Sequence, residues 1–183
     1  MVRIPHHIWP WSKLVWHHII PKSYSILCWR VLWRKLATLD QVQVYRPDLD
    51  SDCRLCSMYA ETIDHLFCAC SFTKSIWRRC CVALHLDYDP GDLNLEMIVS
   101  RLPQLLGTTH HGLLARLTLL TWMFSIWEER NACIFDSRSR QWDQVEATIA
   151  CRVRDTWRVH NPGHDETTEW LLAWQVGETS EPS

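Results

Sequence analysis

The sequence predicts a mainly α-helical protein. Three features carry that expectation. Glycine is scarce, with 5 in 183 residues. Apolar residues recur at spacings of three and four over long stretches, the period of a buried helix face. Alternating runs of β-branched residues, which mark half-buried strands, are few. The length suits one domain, or one domain plus a tail, and is enough to bury a core unaided. Hydrophobic content of 47% and charged content of 22% are those of a globular chain.

Taken in order, residues 12–20 (SKLVWHHII) read as a short helix with Ser12 as N-cap, stopped by Pro21. Residues 22–37 form the first long helix. Ile26, Trp29, Leu32, Trp33 and Leu36 make its apolar stripe, and Arg30, Arg34 and Lys35 take the other face. Thr38 can cap a short helix over 39–45, and 46–52 make an acidic, turn-rich loop. Ser71 can cap a helix over 72–86, after which Pro90-Gly91 in 87–92 is the clearest internal break. Beyond it come a helix over 93–107 kinked or divided at Pro103, and a long, largely buried helix over 111–135. An amphipathic helix over 142–160 follows, with Val145, Ile149, Val153 and Trp157 on one stripe. A weak element covers 166–176, and 177–183 reads as a disordered tail. The layout is a helical domain over 9–86, with a helical C-terminal region over 93–176 packed on it. Helices 22–37, 72–86 and 111–135 supply the core, with Trp29, Trp33, Trp77, Trp122 and Trp127 inside it.

The chain has 9 cysteines, so complete pairing leaves one over. No secretory leader is visible in residues 1–20, which points to a reducing, intracellular setting, the nucleus included. There, clustered cysteines favour a metal over disulfides. The cluster is Cys53-x2-Cys56-x8-His65-x4-Cys70. A Cys-x2-Cys pair places two thiolates on one tight turn, with backbone amides between them free to donate to sulfur. The eight-residue excursion reverses the chain, and His65 and Cys70 return on a second segment. Five residues of α-helix are about one and a half turns, so His65 and Cys70 cannot share a face of a continuous helix. The helix is therefore expected to unwind near Cys68–Cys70 and restart at Ser71. Cys68, three residues after His65, is a rival fourth ligand. Thr62 and Asp64 stand close enough to cap this segment or orient the imidazole. Four soft or borderline donors suit tetrahedral zinc, and with every position filled by protein the site is structural rather than catalytic. The fold class is thus a small helical domain with one structural Cys3His zinc site, followed by a helical C-terminal region.

Charge is unevenly spread. Residues 1–46 hold seven Lys/Arg against one Asp, and 47–64 hold five acids against one Arg. Lys22, Arg30, Arg34, Lys35, Lys74, Arg78 and Arg79 are candidates for phosphate contact, which makes RNA or DNA the expected partner. Trp9 and Trp11, off the apolar stripes, are the better candidates for base stacking. The run from Leu113 to Trp127 is broken by Arg116 and too short to span a bilayer, so no membrane partner is expected. No small-molecule substrate is evident. The histidine pairs at 6–7, 17–18 and 110–111 read as surface or partly buried. Of Cys80 and Cys81, one is expected in the core and the other half-exposed. Glu128-Glu129-Arg130-Asn131 reads as the point where a buried helix emerges into water.

Trp16, Pro21-Lys22, Trp29-Arg30, Leu36 with Thr38, Cys53, Cys56, Glu61-Thr62, His65-Leu66-Phe67, Cys70 and Trp77 occur in a recurring order. In that order they resemble the zinc-binding domain that follows the reverse transcriptase in non-LTR, LINE-like retrotransposon proteins, numerous in plant genomes. IWEERNACIF at 126–135 resembles a phrase that follows in such elements. The resemblance covers roughly residues 9–135 and assigns the fourth ligand to Cys70. The chain departs from it in Cys68 and in Ala37, where proline is common. No polymerase, endonuclease or ribonuclease H carboxylate set is present, so the resemblance implies a detached, non-enzymatic module that binds nucleic acid. A helical protein-interaction module, or a retroelement remnant without function, is the alternative.

Overall fold

The computed structural model describes residues 12–86, Leu95 and 109–162. They form α1 (Ser12–Val15), α2 (Lys22–Leu32), α3 (Leu39–Gln43), a π-helical turn (His65–Ala69), α4 (Ser71–Ala83), α5 (His110–Phe135) and α6 (Trp142–His160). Among the described residues there is no strand, only an isolated antiparallel bridge between Asp52 and Ala60. The protein is mainly helical, as the periodicity implied.

α5 is the axis of the fold. It packs against α2 and α6, while α4 packs on α6 and on the π turn. Its apolar residues run round most of its circumference, and Leu114, Leu117, Leu119, Leu120, Trp122 and Ile126 are all buried. The Thr109 hydroxyl starts the helix by accepting the Gly112 N–H at 3.2 Å. Trp122 is fully buried, its ring centroid 4.8 Å from Trp77 and 6.2 Å from Phe67. One cluster of buried side chains therefore joins the metal loop's neighbourhood to the C-terminal helices. α6 begins with reciprocal capping by Gln141 and Gln144, and Val145, Ile149, Val153 and Trp157 are buried along its inner stripe.

α2 departs from expectation in its face and its length. It buries Leu27, Cys28 and Val31, and the Ser25 hydroxyl donates to the Val15 carbonyl at 2.7 Å. Trp29 and Trp33 are 40% and 39% exposed, and Ile26 is 50% exposed. Two stripes of α2 are apolar, and both recur at helical spacing. Periodicity favours the one with larger side chains, whereas packing against α5 selects the other. The helix ends at Leu32 because Arg34 turns left-handed, at φ 53°. Lys35 N–H then bonds the Arg30 carbonyl and Arg34 N–H the Val31 carbonyl, closing a Schellman motif.

α1 is a single turn in which Ser12 is the first helical residue, not a cap, and a turn from His17 to Ile20 replaces its second half. Cys80 and Cys81 are both buried, so neither is half-exposed. The expected helix over 93–107, the boundary at 87–92, the element over 166–176, the tail, Trp9 and Trp11 lie outside the described residues, apart from helical, buried Leu95.

Candidate metal centre

The first half of the centre is a tight turn pinned by backbone bonds. Ser57 N–H donates to the Cys53 carbonyl at 2.7 Å, and Cys53 N–H to the Tyr59 carbonyl at 2.8 Å. Ser57 takes φ 54°, the left-handed conformation that lets the chain double back immediately after Cys56. Amides of Cys56 and Leu55 donate to the Cys53 sulfur, the arrangement expected of a Cys-x2-Cys turn.

The second half is the π turn. Thr62 caps it, its hydroxyl accepting the His65 N–H at 3.0 Å. The helix widens before it breaks: Cys70 N–H bonds the His65 carbonyl five residues back, at 2.7 Å, Cys70 itself is extended, and a new helix starts at Ser71 as expected. This closure sets His65 and Cys70 one wide turn apart, which α-helical geometry forbids. Cys70, rather than Ser71, is the N-cap of α4. It stands at the positive end of a 13-residue helix, which favours its thiolate.

The two halves bring the ligand atoms of Cys53, Cys56, His65 and Cys70 within 4.8 Å of one another. His65 Nε2 lies 3.3 Å from Cys56 Sγ, which identifies the imidazole nitrogen that faces the cluster. Cys53 and Cys70 are fully buried and His65 nearly so. The Cys53 and Cys70 sulfurs face each other, and this contact holds the Cys70 thiol down despite its burial. The same contact, followed by burial, pushes the Cys53 thiol well up. Cys68 is outside the cluster: it is buried among apolar neighbours, and burial pushes its thiol up to about 12.

Two residues that the spacing did not single out as site residues hold the loop. Glu61, 0% exposed, receives Arg130 Nη2 at 2.6 Å and Arg130 Nε at 3.0 Å on both carboxylate oxygens. It also accepts the Leu39 N–H at 2.8 Å, capping α3 in place of the Thr38 hydroxyl, which bonds Asp40 instead. Arg130 further lies over the Trp127 ring, 4.6 Å from its centroid. Glu129, 1% exposed, pairs with Arg140 at 2.6 Å. In the stretch read as a helix emerging into water, Glu129 and Arg130 are instead buried and ion-paired, while Glu128 and Asn131 are half-buried. The signal for the Glu61–Arg130 pair in the sequence was the pairing of two resemblance phrases, Glu61-Thr62 and Arg130-Asn131.

The basic candidates divide between two helices. Lys22 and Arg30 on α2 and Arg78 on α4 are exposed, as is Lys35 just beyond α2, and Lys74 is half-buried. Arg34 is engaged by Asp64 through bonds of 2.5 and 3.0 Å, and Arg79 by Glu146 at 2.6 Å. α2 rests on α5, and α4 on α6 and α5. No described helix is long and apolar enough to cross a membrane.

Residues 1–77 match the protein family described as zinc-binding in reverse transcriptase. No curated protein and no solved structure matches the chain.

Proposed function

We propose that the chain, whose residues 1–77 match the family described as zinc-binding in reverse transcriptase, is a retroelement-derived accessory module, of non-LTR origin, that holds one zinc ion and binds RNA or DNA without catalysis of its own. The convergence of Cys53, Cys56, His65 and Cys70 carries this reading.

The donor set fits the ion. Bonds of about 2.3 Å to sulfur and about 2.0 Å to nitrogen place tetrahedral neighbours about 3.5–3.8 Å apart. The ligand atoms here lie within 4.8 Å, with the Cys56–His65 pair at 3.3 Å, so small side-chain rotations close the cage. Three thiolates and an imidazole select zinc over oxygen-seeking cations. Four protein donors complete the tetrahedron, which supports a structural role. When bound, zinc contributes on the order of 10–16 kcal/mol to folding. That clamp fixes α4 through its Cys70 cap and, by the Glu61–Arg130 pair, α5. The chain's cations then supply phosphate contacts.

The purified chain is expected to carry zinc, lost in Cys53→Ser and Cys70→Ser and retained in Cys68→Ser. Full metal content in Cys70→Ser would overturn the ligand set. Binding to a random-sequence oligonucleotide should weaken steeply with salt, with a slope of about −0.7 per phosphate contact on a single strand. Binding that ignores salt, or none at all, would favour a protein-interaction module.

A further inference from the structure

The outer face of α2 is built like a platform for unpaired bases. Successive residues on a helix are about 100° apart, which sets Lys22, Ile26, Trp29, Arg30 and Trp33 on one side. All of these are exposed, while the opposite side is occupied by α5. The Trp29 and Trp33 rings are tilted by 56° with centroids 6.3 Å apart, and each keeps about two fifths of its surface toward solvent. Exposed paired tryptophans are unusual, because each forfeits a large burial gain. No acidic residue interrupts α2, whose sequence is KSYSILCWRVL. Arg30 is steadied through Nε alone, which donates to the Lys35 carbonyl at 3.2 Å and leaves its terminal nitrogens uncommitted. Lys35 itself is exposed beside this face.

Resting on the nucleic-acid reading above, we propose that this face binds a single-stranded polynucleotide, with bases stacked on Trp29 and Trp33 and phosphates held by Lys22, Arg30 and Lys35. An apolar face alone would suit a protein partner equally. The cations along this one, with no acid among them, match a polyanion. Flat indoles tolerate any base, whereas a duplex hides its base faces. From Lys22 to Trp33 the helix runs about 16 Å, room for a few extended nucleotides.

The test uses the zinc-loaded full chain and fluorescein-labelled oligo(dT) of about 15 nucleotides, read by anisotropy at low salt, beside a duplex of equal length. Trp29→Ala and Trp33→Ala should each weaken single-strand binding about 5- to 150-fold, and Trp29→Phe should restore most of it. Each indole is still more than half covered, so the variants are compared with wild type at equal zinc content and at a temperature where each is fully folded. An independent reading on the wild-type chain is photocrosslinking of bromodeoxyuridine-substituted oligonucleotide, expected at Trp29 or Trp33. If the alanine variants bind normally while Lys22→Ala/Arg30→Ala/Lys35→Ala does not, stacking is refuted and phosphate binding stands. Preference for the duplex, or crosslinks only elsewhere, also refutes it. Concentration-dependent dimerisation abolished by Trp29→Ala would make the face a self-association surface and overturn the proposal. If the wild-type chain binds no oligonucleotide, both this inference and the nucleic-acid reading fall.

Discussion

Replacing Arg130 with methionine asks whether the C-terminal helices hold the metal loop in place. Glu61 and Arg130 are 0% and 4% exposed in their side chains, and three contacts of 2.6–3.0 Å join them. Methionine matches much of the arginine stem but removes every one of those donors. The Glu61 carboxylate would be left buried, with only the Leu39 N–H, at 2.8 Å, to satisfy it. Breaking one side of a buried pair costs about 3–5 kcal/mol, because a charge is left without compensation. For a chain of this size that is a fall in melting temperature of roughly 6–20 °C, at about 2–4 °C per kcal/mol. Thermal and urea unfolding of the zinc-loaded protein read it. The double variant Glu61→Leu/Arg130→Met removes the stranded charge as well. It should lose less stability than Arg130→Met does, since an apolar pair often replaces a buried ion pair at little cost. Glu61 lies between Cys56 and His65 in the chain, so zinc affinity measured against a competing chelator should fall along with stability in Arg130→Met. A loss under about 1 kcal/mol in Arg130→Met, or a double variant less stable than the single, would refute the claim that this pair ties α5 to the loop.

Other outcomes follow from the same geometry. Ser57 is left-handed, at φ 54°, where glycine has no Cβ penalty; Ser57→Gly should therefore keep zinc and match or exceed wild-type stability by up to about 1 kcal/mol in urea unfolding. Trp122 is fully buried between Phe67 and Trp77, so Trp122→Ala should cost about 3–5 kcal/mol, and a smaller loss would mean that the core collapses onto the gap. In the metal-free protein the Cys70 contact, followed by burial, pushes the Cys53 thiol well up, so the cluster still carries a thiol proton near pH 7. Zinc must displace that proton. Its affinity should rise with pH through the neutral range, with calorimetry in buffers of different ionisation enthalpy reporting proton release on binding. No release at pH 7 would contradict the thiol assignment.

Spacing alone was enough for much of this protein. Two cysteines separated by two residues must share one turn, and Val145, Ile149, Val153 and Trp157 can meet a core only from a helix. Residues 53–70 and α6 could therefore be read from the chain, because what decides them is local. Even the need for a helical irregularity between His65 and Cys70 followed from the residue count. That the chain passes through a widened π turn before it breaks at Cys70 depends on where Cys53 and Cys56 stand, and a distant turn is invisible to a local pattern. The same limit explains α2, where two apolar stripes satisfied the period and only the position of α5 chose Leu27, Cys28 and Val31 for burial, leaving Trp29 and Trp33 in solvent. It explains Arg130 as well. A charged residue near the end of a buried helix looks like an exit into water until a carboxylate from far along the chain is found waiting for it. Sequence by itself determined which side chains could gather on a metal and where the described long helices would form. Tertiary structure decided which helix faces were covered and which charges were paired, because burial depends on neighbours that the chain brings from elsewhere.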